Sequence, residues 1–224
     1  MLDILVNGDF KVVHLTDGEL LPEAVTLIDK GKADGINLNY IRNWRKDLEP
    51  IRNSLSIKCI IVNDYPPSKQ YDYSAIHSLR NLERLSVNTT VKKEIDFSVF
   101  PLLKSVALTW RPKAKSLFHC VQLQRLFLNR YPAADLAELS QLRNLKFLRI
   151  NLGSVVSLNG LGHIVGLEEL MLMQMTKLVD IEDLQKLKHL NRLRIDNCKH
   201  VKNIGTVKEM NILKLEIAGT TPEE

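Results

Sequence analysis

Apolar residues recur along this chain in one short phrase, Leu-x-x-Leu-x-Leu, that returns at a nearly fixed interval. It occurs as Leu82, Leu85 and Val87, as Leu103, Val106 and Leu108, and as Leu123, Leu126 and Leu128. It continues as Leu145, Leu148 and Ile150, then Leu167, Leu170 and Leu172, then Leu190, Leu193 and Ile195, and finally Ile212, Leu215 and Ile217. The middle residue falls at 85, 106, 126, 148, 170, 193 and 215, in steps of 21, 20, 22, 22, 23 and 22 residues. The end of the phrase alternates apolar and polar, the period of a strand with one buried face. Poorer copies end in Ile60 and Val62, in Ile36 and Leu38, and in Val13 and Leu15. The steps from 13 to 36, 60 and 85 are 23, 24 and 25 residues, so the early units are longer.

Between the phrases the pattern changes. Residues 22–30 predict a helix, with Ala24, Leu27 and Ile28 apolar, Pro22 suited to the first turn and Gly31 to the position past the end. Residues 41–55 have room for a second helix, interrupted near Pro50. Pro66 and Pro67 mark a loop. The later connections space their apolar residues mostly by three, as at Leu178, Ile181, Leu184 and Leu187, which predicts short helices or 3-10 turns. Asn7 and Gly8 stand between two apolar runs, a strong hairpin signal because both tolerate positive φ. An N-terminal hairpin over residues 1–16 is expected to cap the first unit.

A repeat of this length and phrase resembles the leucine-rich repeat, and in particular the repeats of about 22 residues in bacterial internalins and in a phosphatase-regulating family. The match is good over 79–217 and poor over 30–78. The resemblance implies an α/β solenoid in one domain, 1–224. It would be right-handed, with parallel strands on a concave face and short helices or 3-10 turns on the convex face. The parts are a cap (1–16), degenerate longer units (17–78), regular units (79–217) and a tail (218–224). The chain departs from those families in one respect. They carry Asn three residues after the second strand leucine, where this chain has Thr90, Arg111, Tyr131, Gly153, Met175, Cys198 and Thr220. Only Cys198 is a familiar substitute, so less regular turns are expected after the strands.

Equivalent residues of neighbouring parallel strands stand about 4.8 Å apart, so columns on the concave face are readable. One reads Arg84, Ser105, Arg125, Phe147, Glu169, Arg192 and Lys214. The next reads Ser86, Ala107, Phe127, Arg149, Met171, Arg194 and Glu216, and a third includes Asn129, Asn151, Met173 and Asp196. A fourth, at the strand exit, holds Trp110 and Arg130. Phe127, Phe147, Met171 and Met173 are expected to face water, since leucines elsewhere already fill the core. Arg125, Arg130, Arg149, Arg192 and Arg194 surround them, with cation–π contacts available to Phe127 and Phe147. Aromatic residues, Met and Arg are enriched at interface cores. These nine residues, with Trp110, form the candidate partner-binding face.

Composition narrows the classes of function. The chain has 224 residues, 31 basic and 26 acidic, for a net charge of +5. That permits an acidic partner without demanding nucleic acid. Glu169, Asp196 and Glu216 interrupt the basic stripe, which makes RNA the weaker alternative. Cys59, Cys120 and Cys198 form no C-x-x-C pair, which fits a reducing compartment. With no signal peptide and no long apolar run, the expected location is the cytoplasm. The six histidines have no metal-site spacing, and Gly160 and Gly162 lack the Lys-Ser/Thr of a phosphate loop. Cys59 and His14 are expected on separate strands of an open surface, and Asp180, Glu182 and Asp183 on a solvated convex face. The expectation is therefore a protein with no catalytic residues, metal or cofactor. It would bind an acidic protein partner, as an adaptor or regulatory subunit or as an immunity protein against a toxin. The last strand, Leu215 to Ile217, is expected to leave an edge open to self-association.

Overall fold

The period-two alternation and the fixed interval build a ladder of parallel strands in the computed structural model, which describes residues 2–38, 48–62, 72–89 and 93–220. Contacts divide the chain into two compact units, Met1–Cys120 and Val121–Glu224. In the first unit β1 (Asp3–Asn7) and β2 (Phe10–His14) form the expected antiparallel hairpin, with Gly8 at φ 62° in the turn. Parallel strands follow as β3 (Gly35–Asn37), β4 (Cys59–Val62), β5 (Arg84–Val87) and β6 (Ser105–Thr109). The second unit holds β7 (Arg125–Asn129), β8 (Phe147–Asn151), β9 (Glu169–Met173), β10 (Arg192–Asp196) and β11 (Lys214–Ala218), all parallel and in sequence order.

The connections are as short as their apolar spacing requires. The predicted helix is α1 (Leu21–Asp29), with Pro22 in its first turn and Gly31 at φ 69° past its end. Its buried stripe is Leu21, Ala24 and Ile28. In the second unit 3-10 turns occupy Ala137–Gln141, Leu161–His163 and Glu182–Lys186, and one short helix, α2, spans Ile204–Lys208. Residues 41–47 of the second expected helix lie outside the described residues, as do Pro66, Pro67 and Thr90. The described part of that segment holds only a 3-10 turn at Glu49–Ile51. Among the described residues no helix is long and apolar enough to cross a membrane.

Register carries the core. In the second unit Leu126, Leu148, Leu170, Leu193 and Leu215 pair side by side, as do Leu128, Ile150, Leu172, Ile195 and Ile217. All but Leu215 and Ile217 are buried, and those two lie half-buried on β11. Each fully buried leucine of such a stack contributes about 1.5–3 kcal/mol.

Three expectations about turns and loops need correction. The strand exits of the second unit are regular without the asparagines. Arg130, Leu152, Gln174, Asn197 and Gly219 all take left-handed φ between 52° and 60°. The amides of the first four donate to Asn151, Met173, Asp196 and Ala218, each one strand on. The position that Asn would hold is buried at Arg111, Tyr131, Met175 and Cys198. Two of these donate to equivalent carbonyls. Arg111 reaches Val87 O at 2.8 Å and Thr109 O at 3.1 Å, and Cys198 Sγ reaches Leu172 O and Asp196 O at 3.6 Å. A guanidinium and a thiol therefore do the work of the amide, although burial pushes Arg111 down to about 10.

The second correction concerns the first unit. Cys59, expected on an open surface, is buried in a cluster with Val12 and Ile61, and Phe10 packs against it. The hairpin turn is tied down as well, since Arg84 Nη1 donates to Asn7 O at 3.0 Å. Burial raises the Cys59 thiol to about 12, so it is inert as a nucleophile at neutral pH.

The third correction is Asp183, which is 8% exposed rather than solvated. Its Oδ2 accepts the amides of Gly160 at 2.9 Å and Gly162 at 3.1 Å, and Lys186 donates to Oδ1 at 2.5 Å. It thus ties its own turn to the preceding one. Gly160 is required there, because its φ is 95° and a Cβ would come within 2.5 Å of Ala137 Cα. Burial opposes the charge on Asp183, but Lys186 and the two amides outweigh it and hold the carboxyl below its ordinary range.

Asp183→Ala leaves two amides without their acceptor and is expected to destabilise the protein by about 1–3 kcal/mol. A depressed folded pKa contributes stability above the ordinary value of 3.8, lost as pH falls through the folded value. Urea titrations of both proteins should therefore show the gap narrowing below that pH, and a gap independent of acid would remove the charge from the account.

Candidate functional site

The open face of the second unit's sheet is set by the side of each strand opposite its leucines. Three columns cross it in register, as the sequence pattern predicts. Arg125, Phe147, Glu169, Arg192 and Lys214 form the first, and Phe127, Arg149, Met171, Arg194 and Glu216 the second. Asn129, Asn151, Met173, Asp196 and Ala218 form the third. Phe127, Met171 and Met173 are half-buried. Trp110 belongs to the first unit, where its ring packs 6.0 Å from that of Phe118.

Phe147 does not face water as expected, for it is only 4% exposed. Its ring lies 4.6 Å from that of Phe127, tilted by 35°, and the Arg125 guanidinium stands 4.4 Å above its centroid. Alternation put the ring on the open side, and its two neighbours then closed over it. The cation–π contact expected between Arg125 and Phe147 is present. Phe127 thus presents the accessible ring of the pair, with Phe147 as its floor.

The charged groups separate into two populations. On β9–β11 they satisfy one another. Arg192 pairs with Glu169 at 3.2 Å, Arg194 with Asp196 at 2.8 Å and Glu216 at 3.4 Å, and Lys214 with Glu216 at 2.9 Å. The hydrogen bond from Arg194 to Asp196 raises the arginine further, and the one from Lys214 lowers Glu216. On β7–β8 the arginines have no such partners. Among the described residues Arg125, Arg130 and Arg149 make no ion pair. The sequence named all five arginines alike because spacing says which face a residue shares and nothing of whom it pairs with.

Sequence reasoning missed one residue of this face. Leu152 is 41% exposed at the exit of β8, at φ 55°, between Arg130 and Gln174 in the exit column. An apolar side chain in the fourth column was visible in the sequence, but its left-handed backbone was not. Among the described residues no cluster of three His, Cys, Asp or Glu side chains could hold a metal ion.

Comparison with protein-family models and with curated protein sequences finds no match. Solved structures do match, and they show a leucine-rich repeat fold. An internalin (inlF) from Listeria monocytogenes aligns at TM-score 0.58 and 18% identity, over 89% of this chain and 64% of its own. Internalin C2 from the same organism aligns at TM-score 0.52 and 19% identity, over 92% and 80%. A leucine-rich repeat protein from Leptospira interrogans aligns at TM-score 0.51 and 17% identity, over 85% and 54%. The chain thus spans less than two thirds of the first and last of these.

The two rings have different jobs, which mutation should separate. Phe147→Ala is expected to cost about 3 kcal/mol or more, as for a buried ring, and Phe127→Ala about 1 kcal/mol. Equal losses in chemical denaturation would mean that both rings are core.

Proposed function

We propose that the protein is a non-catalytic recognition module that binds another protein through the open sheet face of its second unit. The observation that carries this reading is the surplus of anchors on that face. Phe127, Met171 and Met173 remain accessible although Leu126, Leu128, Leu170 and Leu172 already fill the core beneath them. Exposed rings, thioethers and guanidiniums on one rigid surface are the residue types that dominate interface energetics. Repeat solenoids present extended surfaces of this kind. A strand ladder held by backbone bonds on every rung is pre-ordered, so little conformational entropy is lost on binding. The role proposed for such a surface is that of an adaptor or regulatory subunit for another protein.

The test is an affinity capture from nuclease-treated lysate of the native cell, analysed by mass spectrometry. The baits are wild type and a Phe127→Ala, Met171→Ala variant shown to be folded. Proteins retained by wild type and lost with the variant are the expected result. Equal retention by both baits would place recognition elsewhere on the molecule.

A further inference from the structure

Two independent observations single out the β7–β8 half of this face. The first is electrostatic. Every carboxylate of the β9–β11 half is already engaged, by Arg192, Arg194 or Lys214, so that half offers little net charge. Arg125, Arg130 and Arg149 make no ion pair among the described residues. Positive potential is therefore concentrated around the Phe127 ring and not spread along the stripe.

The second observation is an exposed apolar side chain at the strand exit. Leu152 holds an exposed apolar side chain on a left-handed backbone, a conformation costly for any residue with a Cβ and eased by Gly or Asn. The equivalent positions on the next strands hold Gln174, Asn197 and Gly219, the last two of the tolerant types. Leu152 shares that conformation with every strand exit of the second unit, Arg130 included, but it alone among Arg130, Gln174, Asn197 and Gly219 offers exposed apolar surface there. An exposed aliphatic side chain beside an accessible ring and unpaired guanidiniums is the composition of an interface core.

From these we infer that the occupant of the β7–β8 half is an extended acidic segment of a protein. Its carboxylates would meet Arg125, Arg130 and Arg149, and an apolar side chain would be seated between Phe127 and Leu152. The inference rests on the recognition reading above and narrows it to one half of the face and one chemistry of partner. Guanidiniums match carboxylates in a planar, two-point geometry that ammonium groups lack, and the unpaired cations here are all arginines. The apolar surface of Phe127 and Leu152 favours a protein segment, which carries aliphatic and aromatic side chains between its carboxylates, over nucleic acid, whose charged backbone does not.

The probe is a short fluorescein-labelled peptide alternating glutamate with leucine and phenylalanine, followed by anisotropy at low ionic strength. Wild type is expected to bind it, with affinity falling as salt rises. Arg130→Glu, Arg149→Glu is expected to weaken binding by about tenfold or more. Glu169→Gln, Arg192→Gln deletes a self-neutralised pair and is expected to change it by less than about twofold. Leu152→Asn is expected to leave Tm unchanged or raise it while weakening the peptide by about fivefold. A purely structural leucine would lower Tm and leave the affinity alone. No binding, indifference to the arginine reversal, or tighter binding of a single-stranded oligothymidylate than of the peptide would each overturn the inference. Cell proteins lost from the Phe127→Ala, Met171→Ala bait but kept by Arg130→Glu, Arg149→Glu would overturn only the acidic partner. Proteins indifferent to the first bait variant would overturn the recognition reading with it.

Discussion

Everything on this protein's surface follows from one constraint, the register of parallel strands. Each repeat delivers two apolar residues to the core with a polar or surplus residue between them. Leu148 beside Leu170 and Ile150 beside Leu172 fix the ladder, because a slip of one residue would turn every leucine to water. Once the leucines are aligned, Phe147, Arg149 and Asn151 have no choice of neighbours. A residue about 22 positions away in sequence becomes an adjacent side chain, and a change in one repeat is read by the next.

This explains why the sequence was so informative about architecture and less so about depth. The phrase around Leu126 or Leu170 specifies a strand, its inward face and its rung. It does not say how far an outward residue is covered, since that depends on groups from other rungs. Phe147 is buried by Phe127 and Arg125. Cys59 is buried among Val12 and Ile61 where Phe10 packs, although its place in the pattern is an outward one. Asp183 reads as one of three surface acids, yet its oxygen holds two amides of the previous turn. Each departure comes from a contact between repeats that differ, which a periodic reading averages away.

The ladder position shows how much chemistry the fold tolerates. A turn that needs a donor for two carbonyls accepts Arg111 in one place and Cys198 in another. The guanidinium is the costlier solution, since burial disfavours its charge. It succeeds because several acceptors converge on it, Thr89 Oγ1 at 3.3 Å among them. Where a donor stands at this position, the bonds run to the two equivalent carbonyls; Met175 holds the position buried without a side-chain donor.

The same reasoning gives the ion pairs of β9–β11 a role beyond stability. Pairs as exposed as Arg194 with Glu216 add little to folding, because water screens them and side-chain entropy opposes them. Their effect on recognition is larger. A face with five unpaired arginines would attract any anion of adequate size, from nucleic acid to an acidic tail. Closing two of the five in internal pairs leaves a compact cluster beside one accessible ring and one exposed leucine. An occupant must then match apolar contacts as well as charge. Specificity here arises from what the ladder neutralises, because rungs that satisfy themselves define the edge of those that do not.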